Sequence, residues 1–151
     1  MSVAQNLLQL VAQSQWANAK WVDVVYAQAR QDARPRELLA HIMLSECVWF
    51  ERIAGQQVTT TTFSVLTKDE LLRGFAENVA TYRQLIGARL PDVVHFQRAT
   101  GEEYHAMVAD IIYHLVTHGY HHRGQLAAHY ARAGVPYPSV DHIDYLIQNR
   151  L

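Results

Sequence analysis

Cysteine is nearly absent from this chain of 151 residues: Cys47 stands alone, so no intrachain disulfide can close, which suits a reducing compartment. A dominant charge is missing too. Thirteen Lys plus Arg oppose fourteen Asp plus Glu, a formal net charge of -1, so there is no broad positive field to gather phosphate backbones or anionic lipid. Nucleic acid is therefore not an expected partner. Long apolar runs are also absent. The best candidates are broken by Gln, Asp, Arg or His well short of the roughly 20 residues that cross a bilayer. The N-terminus lacks the basic start and apolar run of a secretory signal. These absences lead to the expectation of a soluble cytoplasmic protein with no membrane partner. Half of the residues are hydrophobic and 18% charged, enough for one compact domain over residues 1–151 and too few for two.

Glycine and proline are scarce, and where they are missing helices can run. Residues 3–30 contain neither, and Val3, Leu7, Leu10, Val11, Trp21, Val24 and Val25 recur at spacings of three and four, as on an amphipathic helix. A polar break at 32–34 precedes Pro35, favoured in the first turn of a second helix with Leu38, Ile42, Trp49 and Ile53 on one face; Gly55 ends it. Residues 56–66 are rich in threonine and without helical period, and read as a long crossover loop. Thr67 and Glu70 form a capping-box pattern for a third helix through Leu71, Phe75, Tyr82 and Ile86, terminated by Pro91. Residues 92–98 look briefly extended but too short to found a sheet, and are taken as linker. Thr100 and Glu103 repeat the capping pattern, so a long fourth helix is expected from there to Gly134, with Tyr104, Met107, Ile111, Leu115, His118, His122 and His129 on one face. Pro136 and Pro138 mark a turn before a short terminal helix over 141–151, with Ile143, Leu146 and Ile147 inward. The fold class is all-α: a four-helix bundle with a long crossover between helices two and three and a short C-terminal helix.

What the sequence has in excess is histidine, nine in all, five of them (His114, His118, His121, His122 and His129) close together near the C-terminus. Residues four apart on a helix stand over one another, so His118 and His122 can offer nitrogens to the same ion. The pair straddles the inner stripe continued by Ile111 and Leu115. His114 and His121 lie toward its edge, and His129 is about two turns away, beyond one metal centre. A catalytic metal normally has three protein ligands and an open position, so a third must come from another helix. His41, between Leu38 and Ile42 on the inward side of helix two, is the natural choice; Glu46 and Glu51 are less well placed. Hydrogen bonding between core histidines would explain His41 alone. Withdrawing three rings from water with no compensating ion is costly, and favours metal. Haem ligation by one ladder histidine is the weaker fit, because three converging imidazoles suit a small ion.

The stretch Thr100-Gly101-Glu102-Glu103-Tyr104, the run from His114 through His118, His121, His122, Arg123, Gly124 and Gln125, and then Gly134, Pro136 and Asp141 resemble the C-terminal signature of the DinB family of metal-dependent proteins. Helix two, with His41, Ser45, Glu46 and Trp49, is similar to the family's other signature region. The resemblance covers essentially the whole chain in element order. It implies a four-helix bundle with a crossover between helices two and three, and a metal site whose three histidines match His41, His118 and His122. It also implies a zinc or nickel centre, a homodimer, and relatives that include thiol-dependent transferases and isomerases. The family name refers to damage-inducible expression and gives no reaction.

Among the remaining residues, Arg123 is expected to point away from the inner stripe into a structural salt bridge, and Gln125 to orient a ligand ring through its free N–H. Gly119 and Gly124, costly inside a helix, suggest close approach of another helix or chain. Cys47 is given no role. Trp16, Trp21, Trp49 and Tyr82 read as core, with one or two able to wall a substrate pocket. The expected function is a metal-dependent enzyme whose centre activates water or a low-molecular-weight thiol, of hydrolase or thiol-transferase type, on a small-molecule substrate. The competing expectation is a non-enzymatic metal- or ligand-binding protein, a sensor or structural element; a closed fourth ligand would favour it.

Overall fold

The computed structural model describes residues 1–27 and 32–149, which form helices α1 (Val3–Ala27), α2 (Ala33–Ile53), α3 (Lys68–Ala88), α4 (Val108–Arg132) and α5 (His142–Asn149), with strands β1 (Val93–Gln97) and β2 (Glu103–Met107) between α3 and α4. The expected stretch of helix one to Arg30 and the end of the terminal helix at Leu151 lie outside the described residues. The architecture is all-α apart from one two-stranded antiparallel sheet. Helix α2 packs chiefly on α4, and α1 on α3.

Local chemistry sets most helix ends. Ser2 and Gln5 exchange hydrogen bonds at the start of α1, Asp32 caps α2 through the Arg34 N–H, and Thr67 and Glu70 form the expected capping box of α3. Helix α2 ends at Gly55, whose φ of 69° suits a residue without Cβ. The crossover at residues 56–66 has no regular structure, as expected.

Three expectations are corrected. Residues 103–107 form β2, not the first turns of a helix, and residues 93–97 pair with them rather than acting as linker. Gly101, with φ at 85°, closes the turn through its N–H to the Arg98 carbonyl, and Phe96 stacks on its cross-strand partner Tyr104. Thr100 bonds to the Glu102 carboxylate instead of capping a helix. Helix α4 therefore starts at Val108 without a side-chain cap, and the Asp92 and Leu90 carbonyls accept from the Val108 and Ala109 N–H groups. In α5 the inward residue is Tyr145, against Trp16, while Ile143 and Ile147 are 61% and 67% exposed. Eight residues offer one narrow contact stripe, and the aromatic ring takes it.

The apolar core falls into two clusters. One is built on Leu7, Tyr82, Ile112 and Leu115, the other on Trp21, Leu39, Leu71 and Leu126. Between them in the sequence of each long helix lie buried polar groups: Ser14 and Asn18 of α1, Glu46 of α2, Asn78 of α3 and Arg123 of α4. This belt crosses the bundle in the stretch of α4 that also carries His118 and His122.

Candidate metal centre

Helices α2 and α4 face each other along their length, and this brings His41 against the His118–His122 pair. Ring centroids are 5.0 Å apart for His41 and His118, 4.6 Å for His41 and His122, and 4.4 Å for His118 and His122. One ligand nitrogen from each ring lies within 4.8 Å of the other two, an arrangement able to hold a metal ion.

Hydrogen bonds fix which nitrogen two of the three rings, His41 and His122, present. The Nδ1 of His41 is 2.9 Å from the Thr62 carbonyl oxygen, which can only accept, so Nδ1 carries the proton and Nε2 offers a lone pair. The Nδ1 of His122 donates to Gln125 Oε1 at 2.8 Å, leaving its Nε2 for the centre, 3.0 Å from His118 Nε2. The Gln125 amide in turn reaches His121 Nε2 at 3.2 Å, so Gln125 bridges the His121 and His122 rings. Desolvation, reinforced by the neighbouring imidazoles, pulls the His118 pKa down to about 4, and desolvation likewise lowers those of His122 and His114. These rings are thus neutral at physiological pH, the form that ligates.

The crossover loop supplies parts that periodicity alone does not reveal. Thr62 orients His41, and Phe63 stacks on the His41 ring at 4.4 Å while remaining 63% exposed. Glu51, discounted as a ligand, tethers the loop. Partial desolvation opposes its ionisation, but hydrogen bonds from the hydroxyls and N–H groups of Thr59 and Thr60 prevail and lower its pKa. On the other side, His114 lies 5.7 Å from the His118 ring and lines a cavity of about 450 Å³ with Trp49, Phe96, Tyr104 and Ile111. Trp49 is thus one of the aromatic residues expected to wall a pocket.

Glu46 is turned to the belt, accepting from Asn78 at 2.7 Å and Tyr82 at 3.0 Å. Cys47 packs against Met43 and Asn78, and burial raises its pKa. Arg123 corrects the sequence reading: it is 2% exposed, points into the bundle, and donates to Ser14 and Asn18 rather than joining a salt bridge. Gly119 exists for it, since a Cβ there would lie 2.9 Å from Arg123 Nη1. The close approach suggested by that glycine is therefore made within the chain.

Comparison with curated proteins returns no match. The sequence profile of the DinB family, by contrast, runs over residues 1–150, and a match of that extent means that this chain belongs to the DinB family.

Proposed function

We propose that the chain is a metal-dependent enzyme in which His41, His118 and His122 hold one divalent cation, zinc or nickel, and which acts on a small molecule with water or a low-molecular-weight thiol as co-reactant. The observation carrying the proposal is the convergence of the three imidazoles, two of them oriented through Nδ1 by Thr62 and Gln125. When bound, the cation would supply Lewis acidity. The protein's own part is to keep His118 and His122 neutral, fix the tautomers of His41 and His122, and leave room beside the three rings. Among the described residues no fourth His, Cys, Asp or Glu joins the group, which favours an open, catalytic site over a closed structural one. The cavity beside His114 supports a substrate with an apolar body, and its Arg98 and Asp110 offer charged contacts.

Metal analysis of protein purified without a histidine tag tests the centre. The expectation is about one zinc or nickel per chain, strongly reduced in His41→Ala and His118→Ala; a chain that stays metal-free after incubation with both ions sinks the proposal. Turnover is read separately, as hydrolysis and as thiol consumption by metal-loaded protein. A chain that binds its metal and turns over neither class belongs to the non-enzymatic reading. The homodimer implied by the family resemblance is proposed with it, and sedimentation showing only monomer at micromolar concentration would refute that part.

A further inference from the structure

We propose that the outward face of the β1–β2 hairpin carries a second divalent-cation site, held by the imidazoles of His95 and His105 and separate from the three-histidine centre. The register of the hairpin sets His95 directly opposite His105. In an antiparallel ladder such pairs alternate between those that exchange two hydrogen bonds and those that exchange none. Bonds from the Val108 N–H to the Asp92 carbonyl and from the Arg98 N–H to the Glu102 carbonyl flank the pairs Val93–Met107 and Gln97–Glu103, so these exchange none, and by alternation neither do His95 and His105. That is the closer kind of pair, with Cα atoms roughly 4.5 Å apart and side chains rising together from one face. The two ring centroids lie 5.8 Å apart. Two imidazoles bound to one ion at N–metal distances of roughly 2.0–2.1 Å have centroids roughly 5–6 Å apart, so the observed separation already suits a chelate.

The donors on this face are open to water and uncommitted. Val94, Phe96 and Ala106 turn toward the protein, whereas His95, Glu103 and His105 are exposed. Among the described residues, no hydrogen bond or ion pair takes either ring or the Glu103 carboxylate. Neither ring joins the apolar core, so packing gives no reason for an imidazole at either position. Glu103 stands diagonally from His95 across the ladder, a distance that a long side chain spans, and the two border a hollow of about 270 Å³. It supplies an oxygen donor beside the two nitrogens. Such a set favours Cu²⁺ over Zn²⁺ and does not suit Mg²⁺, which takes oxygen ligands in a strict octahedron. With two imidazoles instead of three, the pair binds more weakly than the centre between α2 and α4. The cavity beside His114 is lined from the hairpin by Phe96, Tyr104 and Ala106 and by neither His95 nor His105, so the pair does not depend on metal at His41, His118 and His122.

The test follows the imidazole carbon-bound proton resonances of His95 and His105 in the full-length chain at about pH 7.5, where a free imidazole is mostly neutral. They are assigned by elimination with His95→Gln and His105→Gln, two changes on an exposed face that should keep the fold. Zn²⁺, which is diamagnetic, is the probe, added beyond the first equivalent. Both resonances should move together on one saturable curve, and Mg²⁺ should move neither. Removing either ring should weaken the response of the other at least about tenfold, because the second nitrogen then no longer binds at high effective concentration. Substoichiometric Cu²⁺ should broaden both signals and displace zinc from them. His118→Ala, which cuts into the other centre, should leave the pair's curve unchanged; if the three-histidine centre holds no metal, the pair responds from the first equivalent. Separate curves for the two rings, undiminished affinity of one ring after loss of the other, a response lost in folded His118→Ala, or no saturable shift would each overturn the proposal.

Discussion

Glu46 and Arg123 are withdrawn from water to 3% and 2% exposure, and among the described residues neither has an oppositely charged group within ion-pair distance. The two respond differently because only one can shed its charge near neutrality. Desolvation pushes the Glu46 pKa up to about 7, against the hydrogen bonds from Asn78 and Tyr82 and the attraction of Arg123. The folded state then keeps a proton that the unfolded chain releases near 4.5. This contribution to stability is fully present below pH 4.5 and is lost as pH rises through 7, a difference on the order of 3 kcal/mol. Glu46→Gln retains the shape and can still meet both partners without a charge. Urea unfolding at pH 5 and pH 8 should therefore show a smaller loss of stability on raising pH in the variant than in the wild type; equal losses would mean that Glu46 is ionised throughout. Gln125 is the matching residue at the centre. Gln125→Ala removes the acceptor that aims His122 and should weaken metal binding about 10–100-fold in a competition titration. An unchanged affinity would show that His122 needs no such support.

Among the elements, α4 carries most of the chemistry because it is buried on two sides. The histidine face meets α2, and one residue further, about 100° around the helix, Arg123 meets Ser14 and Asn18 of α1. A single-stripe reading finds the first face and sends Arg123 to solvent. The two glycines of this helix separate the same way. Gly119→Ala places a methyl 2.9 Å from a tethered guanidinium nitrogen and should destabilise by about 1–3 kcal/mol. Gly124→Ala meets nothing within 4 Å and should gain about 1 kcal/mol of helix propensity, raising Tm by roughly 2–4 °C. Thermal melts that move both variants in one direction would contradict this account. The long helices were legible because their periodicity and caps are local. The β1–β2 hairpin was not, since Thr100 and Glu103 also satisfy a helix cap and only the pairing of Phe96 with Tyr104 decides between them. The His118–His122 pair was legible from its spacing of four. Thr62 and Phe63 were not, because a loop without period does not reveal which carbonyl or ring will reach His41.

Across the whole molecule, the polar belt and the histidine centre give two pH dependences of opposite sign. Below the ordinary imidazole value of 6.5 the unfolded chain takes up protons that folded His118 refuses until about pH 4. The site's contribution to stability is therefore present above pH 6.5 and lost as pH falls through that window, whereas the Glu46 contribution is lost as pH rises. Metal would strengthen the first effect, because ligation requires neutral rings and a cation that binds only the folded chain stabilises it. Comparing melting temperatures with and without chelator cancels the Glu46 part, which the chelator leaves untouched. The chelator should lower Tm at pH 7.5, have much less effect at pH 5.5, and have little effect at either pH in His118→Ala. A chelator-sensitive shift of the same size at both pH values, or one that persists in His118→Ala, would assign the metal to other residues and leave the three histidines as core groups that satisfy one another by hydrogen bonding.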